Sequence, residues 1–166
     1  MSFMEIVLLD DGRIIRPCGI DDIEDVSEMV ITEAKRSIAS DFDEKGWEDF
    51  LDYMSFDQIL KRLVTGSKAL LVQEKDDQVS GYLEINGHQI LLLFIVDYAQ
   101  KRHLATQLLR RVIMTLSPSE LFVNASSQGY DFYCSHGFVA LDDWAEKEGV
   151  TYCPMKWKNE EPAKES

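Results

Sequence analysis

The residues best placed to do chemistry gather first in the stretch Leu91 to Leu109, LLLFIVDYAQKRHLATQLL. Gln100, Lys101, Arg102, His103 and Thr106 make a polar, basic elbow between a strand-like run and a helix-like one. Such a junction suits an anion. The first turn of a helix leaves backbone N–H groups unpaired, the aligned peptide dipoles put partial positive charge there, and Lys101 and Arg102 add full charges. The same residues admit a second reading, in which Asp97 and Gln100 form a capping box and the helix simply starts at residue 98.

The elements that position the elbow are legible on either side. Leu91 to Val96 is a continuous apolar run, as expected of a strand covered on both faces. From Leu104 the apolar residues fall at 104, 108, 109, 112, 113 and 116, one face of a helix. A second cluster follows, with Asn124 at the end of the strand-like run 121–124. Tyr130, Tyr133 and Cys134 lie in the short helix expected from Gly129 to Ser135, with His136 just past its end. By residue type alone, Tyr133 is equally an aromatic packed under the C-terminal strands, and Asn124 equally a cap for the next turn.

Composition narrows the function. A chain of 166 residues and net charge −13 offers no long basic stripe, which argues against nucleic acid as a partner. The longest apolar run, Ile90 to Val96, is too short to span a bilayer. No basic region precedes the apolar start, so no signal peptide is expected and a cytoplasmic location follows. Cys18, Cys134 and Cys153 are too scattered for a disulfide frame or a metal site, and each is expected to be a reduced, half-buried thiol.

Taken in order, MEIVLL and RIIRP read as two strands around the turn Asp10-Asp11-Gly12, followed by a helix from about Ile20 to Ser40. Residues 41–66 are acidic and aromatic and predict one or two short helices. Strands follow at 68–73 and 79–85, with Asn86-Gly87 as a hairpin turn into the next strand. Phe138 to Leu141 and Val150 to Trp157 read as a terminal hairpin. One domain is expected over 1–158, with a tail at 159–166 that lacks apolar anchors.

The elbow resembles the acetyl-CoA-binding motif of the GCN5-related N-acetyltransferases (GNAT), Gln/Arg-x-x-Gly-x-Gly/Ala. Gln100 and Ala105, with Thr106 after them, stand where that pattern wants them; His103 stands where it has its first glycine. The segment 124–138, with its Asn, Phe-Tyr and Gly-Phe, is similar to the family's second motif, and the element order over 13–158 is similar to the family's as well. The resemblance implies an α/β acyl-CoA N-acyltransferase fold: a mixed, mostly antiparallel sheet with splayed central strands, flanked by helices. It implies acetyl-CoA as co-substrate, contacted by Phe94, Ile95, Val96, Gln100, Lys101, Arg102, His103, Leu104, Ala105, Thr106 and Asn124. Phe94 to Val96 would pair with the pantetheine like an added strand, and the Ile95 N–H would orient the thioester carbonyl. Tyr133 would protonate the departing thiolate, as a phenol within hydrogen-bond reach can.

Attack by an amine also requires a proton acceptor. Gln89 falls where some family members carry a glutamate and cannot take a proton, which leaves Glu84, acting through a water, as the nearest substitute. The resemblance places Asp41, Asp43, Glu44 and Asp52 at the mouth of the acceptor site, and the acidic segment favours a small cationic amine. Direct transfer to a primary amine is the expected reaction. Cys134 offers a covalent alternative, but its nearest base is His136, two residues on. A non-catalytic CoA-binding or regulatory protein, and an unrelated α/β domain with a capping box, are the competing readings. Pairing through a sheet edge or the terminal hairpin would give a homodimer.

Overall fold

The computed structural model describes residues 2–96 and 98–160, the side chains of 98–102 excepted. Strands β1 (Val7–Leu8) and β2 (Ile14–Pro17) precede helix α1 (Ile23–Ser37), then α2 (Glu44–Tyr53) and α3 (Phe56–Thr65). Strands β3 (Lys68–Gln73), β4 (Val79–Asn86) and β5 (Gln89–Ile95) lead into α4 (Tyr98–Leu116). Strand β6 (Glu120–Ala125), α5 (Tyr130–Ser135) and β7 (Val139–Ala140), β8 (Ala145–Lys147) and β9 (Val150–Lys158) complete the chain.

The strands form one sheet in the order β1-β2-β3-β4-β5-β6-β9-β7, with β8 on β9. Every neighbouring pair is antiparallel except β5 with β6. Strand alternation sends Leu70 and Val72 to one face and Ala69 and Leu71 to the other, so β3 is buried on both sides. Leu104, Leu108, Leu109 and Val112 of α4 close the first face over Leu83, Ile85 and Ile95. Ile23, Val26 and Val30 of α1, with Met54 and Ile59, close the second over Leu71, Tyr82 and Leu92. This is the mixed sheet flanked by helices that the resemblance implied.

Three of the differences from expectation have a local reason. The helix expected from Ile20 to Ser40 is a 3-10 turn (Ile20–Asp22), then α1, then a second 3-10 turn (Ala39–Asp41), because Ile38 at φ −131° leaves the helical region. The hairpin between β4 and β5 turns on Gly87-His88, with Asn86 paired to Gln89, so the turn sits one residue later. Gly87 takes φ 58°, the first position of a type II′ turn, where glycine costs nothing. The expected terminal hairpin contains an additional strand: β8 pairs with β9 through the two-residue turn Glu148-Gly149. Both turn residues have positive φ (53° and 80°), the type I′ pattern, which Glu-Gly announces less clearly than Asn-Gly does.

Candidate active site

Where the sheet turns parallel it also comes apart. Strands β5 and β6 pair only at Gln89 with Phe122 and Ile90 with Val123. Beyond that point β5 stays with β4, up to Gly81 opposite Ile95, while β6 stays with β9, up to Ala125 opposite Cys153. Among the described residues, the β6-facing edge of Leu91 to Ile95 therefore has no partner strand. The Val96 N–H donates to the Ser80 carbonyl at 2.8 Å, so Val96 belongs to the set bonded to β4. Antiparallel alternation then turns the backbone groups of Leu93 and Ile95 toward the gap. A ligand with amides in an extended chain fits that edge as a strand would.

A cavity of about 570 Å³ occupies the gap and continues toward α1 and α2. Its inner end is lined by Leu91 to Ile95, Asn124, Gly129 and Tyr133. Asn124 is solvent-exposed on β6 and faces this space, whereas Tyr133 is buried. Helix α5 holds the Tyr133 ring edge-on against Phe132 and Phe138, with centroids 5.3 and 5.1 Å away. Gly129 lies beneath the ring, and a Cβ there would approach it to 3.3 Å. Tyr130, three residues earlier, packs on Trp144 outside the cavity lining.

The outer end is aromatic. Phe42, Phe50 and Tyr53 line it, and Trp47 backs Phe42 and Phe50 at centroid separations of 5.4 and 5.6 Å. The roof is a backbone clasp between the β8–β9 turn and the start of α2. The Asp43 N–H donates to the Gly149 carbonyl at 2.8 Å, and Phe42 bridges to Val150. Asp43 caps α2 by accepting from the Gly46 N–H at 2.8 Å. A Cβ on Gly46 would collide with the Gly149 carbonyl, and one on Gly149 with the Asp43 carboxylate, so close approach explains both glycines. Of the four acids expected at the mouth, Asp41 lines the cavity; Asp43 is the cap, and Glu44 and Asp52 lie outside the lining.

Glu84 is not brought to this site. Its side chain is fully buried away from the cavity lining, paired with Arg62 at 2.7 Å and accepting from the Tyr82 hydroxyl at 2.8 Å. Arg62 in turn donates to the Tyr53 carbonyl at 2.7 Å and lies 3.7 Å from the centre of that ring. A carboxylate so committed in the core has no path to an acceptor proton, which corrects the role expected of it. Burial and the nearby Glu84 charge push the Tyr82 phenol far above its ordinary value. Gln89, its unproductive neighbour in the expectation, does line the cavity.

The thiols differ from one another. Cys134 is exposed on α5 and does not line the cavity. Cys153 is buried, and burial pushes its thiol up; Cys18 is half-buried, and burial pushes its thiol up to about 12.

Helix α4 begins at Tyr98, so the stretch 100–106 lies inside the helix rather than before it. The backbone N–H groups left free at such a start belong to its first turn, upstream of His103 to Thr106. The capping-box alternative placed the start at this residue; Asp97 and the side chains of Gln100, Lys101 and Arg102 fall outside the described residues. His103 is exposed. Leu104 and Ala105 are core residues with no accessible surface. The Thr106 hydroxyl lies 3.0 Å from His136 Nε2, while His136 Nδ1 lies 2.9 Å from the Phe132 carbonyl. With Nδ1–H donating to Phe132, Nε2 accepts from Thr106 and ties α4 to the helix that carries Tyr133. This latch joins residues 30 positions apart, and no local pattern announces it.

The same architecture occurs in solved acetyltransferases. A GCN5-related N-acetyltransferase from Rhodopseudomonas palustris superposes with a TM-score of 0.72 at 18% identity, over 87% of this chain and 94% of that one. The PaiA N-acetyltransferase from Thermoplasma acidophilum, solved with coenzyme A, gives 0.71 at 19% identity over 89% and 99%. The spermidine N-acetyltransferase from Vibrio cholerae, solved with CoA and spermine, gives 0.63 at 14% over 90% and 96%. No curated protein sequence matches the chain. The profile of the acetyltransferase (GNAT) domain matches residues 38–159. The split sheet and the sequence profile meet in one conclusion: this chain belongs to the GNAT family of acetyl-CoA-dependent N-acetyltransferases.

Proposed function

We propose that the protein transfers the acetyl group of acetyl-CoA directly to the primary amine of a small acceptor. The observation that carries this reading is the single continuous cavity, which joins the unpaired edge of β5 to the aromatic wall under the Gly46–Gly149 clasp. Acetyl-CoA supplies an activated acyl group whose sulfur departs when an amine attacks. Leu93 and Ile95 offer backbone groups to the extended pantetheine, and the Ile95 N–H stabilises negative charge on the thioester oxygen. As the carbon–nitrogen bond forms and the carbon–sulfur bond breaks, the attacking nitrogen releases its proton to water, and Tyr133, held by Phe132 and Phe138, gives its phenol proton to the departing sulfur. Asn124 binds the pantetheine amide at the mouth of the gap. Lys101, Arg102 and the first turn of α4 receive the pyrophosphate. Cys134 takes no part, since it lies off the cavity.

The test is thermal unfolding with acetyl-CoA, followed by a screen of small primary amines for released CoA thiol. A ligand that binds only the folded state at about 100 times its Kd stabilises by about 2.7 kcal/mol. A clear shift with turnover of at least one amine is expected, and the absence of any shift at saturation would rule the reading out. A second reading, a CoA-binding protein without turnover, is favoured by one observation: Glu84, the carboxylate expected to take the amine's proton, is buried and paired with Arg62. It predicts the thermal shift without thiol release for any amine.

A further inference from the structure

The acceptor end of the cavity holds a carboxylate whose charge no described residue balances. Three acidic side chains are buried among the described residues: Glu33, Asp41 and Glu84. Glu33 pairs with Arg36 and Glu84 with Arg62. Asp41 has no cationic partner among the described residues. One of its oxygens accepts from the Ser127 N–H at 2.9 Å, and no buried oxygen of Asp41 is left unbonded, so the other opens on the cavity that Asp41 lines. A buried anion needs a counter-charge, because transfer out of water costs several kcal/mol and one neutral hydrogen bond offsets only part of that.

The surroundings of Asp41 define the rest of the ligand. Phe42, Phe50 and Tyr53 form the wall on that side, and Arg62 anchors Tyr53 from behind. Of the other acids in the lining, Glu33 is neutralised by Arg36 and the exposed Asp49 by Lys45 at 2.7 Å, and Glu148 is exposed to solvent, as is Lys147 beside it. The site therefore presents one uncompensated buried charge beside an aromatic surface, not a row of carboxylates.

We infer that Asp41 binds the ammonium of the acceptor, and that the acceptor is a monocationic primary amine with an apolar or aromatic body seated against Phe42, Phe50 and Tyr53. This rests on the acetyl-transfer reading above and deepens it. Asp41 holds the amine nitrogen beside the split in the sheet, with its own position fixed by Ser127 on the loop that follows β6.

The experiment compares 2-phenylethylamine, spermidine and a short peptide with a free N-terminus as acceptors for the wild type and for Asp41→Asn. The asparagine keeps an oxygen for the Ser127 N–H and removes only the charge, and an unchanged acetyl-CoA thermal shift certifies the fold. Phenylethylamine is expected to be the best acceptor, with its KM raised roughly 10- to 100-fold by Asp41→Asn and the KM for acetyl-CoA unmoved. Asp41→Glu should recover part of the loss. An unchanged amine KM in a folded Asp41→Asn would overturn the assignment, and preferred use of spermidine or the peptide would overturn the acceptor class. Either result leaves acetyl transfer itself standing, whereas thermal stabilisation without turnover of any of the three amines overturns the inference together with the transfer reading.

Discussion

At the scale of single residues, the proposed chemistry rests on side chains that the sequence shows and on partners that it does not. Tyr133 could be picked from its place before Gly137-Phe138, but the Phe132–Phe138 vice that orients it exists only after α5 and β7 have packed. Removing its hydroxyl should separate chemistry from binding. Tyr133→Phe is expected to lower kcat about 100-fold while leaving the melting temperature and both KM values near wild type; a kcat within a factor of two would exclude the phenol as the proton donor. Glu84 misled for a physical reason. A strand glutamate looks solvated in sequence, and the arginine that neutralises it comes from α3, 22 residues upstream. Ionisation at the sheet edge carries a stability prediction as well. Arg16 grips Asp22 in a paired contact at 2.8 Å and holds its carboxyl below the usual 3.8. A depressed folded value means stability present above 3.8 that is lost as pH falls through the folded value. Melts taken from about pH 6 down to pH 3 should therefore show a shallower acid decline for Asp22→Asn than for the wild type.

Among the elements, β3 was legible to the residue, whereas the apolar run read as Leu91 to Val96 belongs to a strand that begins two residues earlier, at Gln89. Helix α4 was legible through its buried face, Leu104 to Val112. What the sequence hid were features made by close approach between distant backbones. Gly46 and Gly149 look like ordinary turn or helix glycines, yet each is dictated by the other's chain, whose contact packs the Glu148-Gly149 turn onto the start of α2. The clasp roofs the acceptor end, so loosening it should be felt there first. Gly149→Ala places a side chain at φ 80° and against the Asp43 carboxylate. It is expected to cost about 1–3 kcal/mol of stability and to raise the amine KM more than the acetyl-CoA KM. Equal effects on the two constants would show that the roof does not belong to the acceptor side.

For the whole molecule, a net charge of −13 sets a background field that draws cations toward the cavity and disfavours polyanions, so the nucleotide end depends on its local cations. No helix among the described residues is long and apolar enough to cross a membrane. The element order announced the mixed sheet, but the extent of the split did not follow from it, because strand separation depends on two rungs of pairing that no side-chain pattern encodes. Those two rungs make a seam. On one side lie β1 to β5 with their helices, on the other β6 to β9, and the two-rung β5 to β6 ladder that joins them lies between two ladders of six rungs each, β4 with β5 and β6 with β9. A co-substrate lying along Leu91 to Ile95 would act as a rivet across that seam, supplying the missing rungs from outside the polypeptide. Amide hydrogen exchange would register it: without ligand, Leu93 and Ile95 should exchange quickly for residues of a central strand, and the two half-sheets should open with separate free energies. Saturation with acetyl-CoA should slow Leu93 and Ile95 and bring the two halves to a common opening free energy, while Leu92 and Phe94, bonded inward to β4, should already be slow.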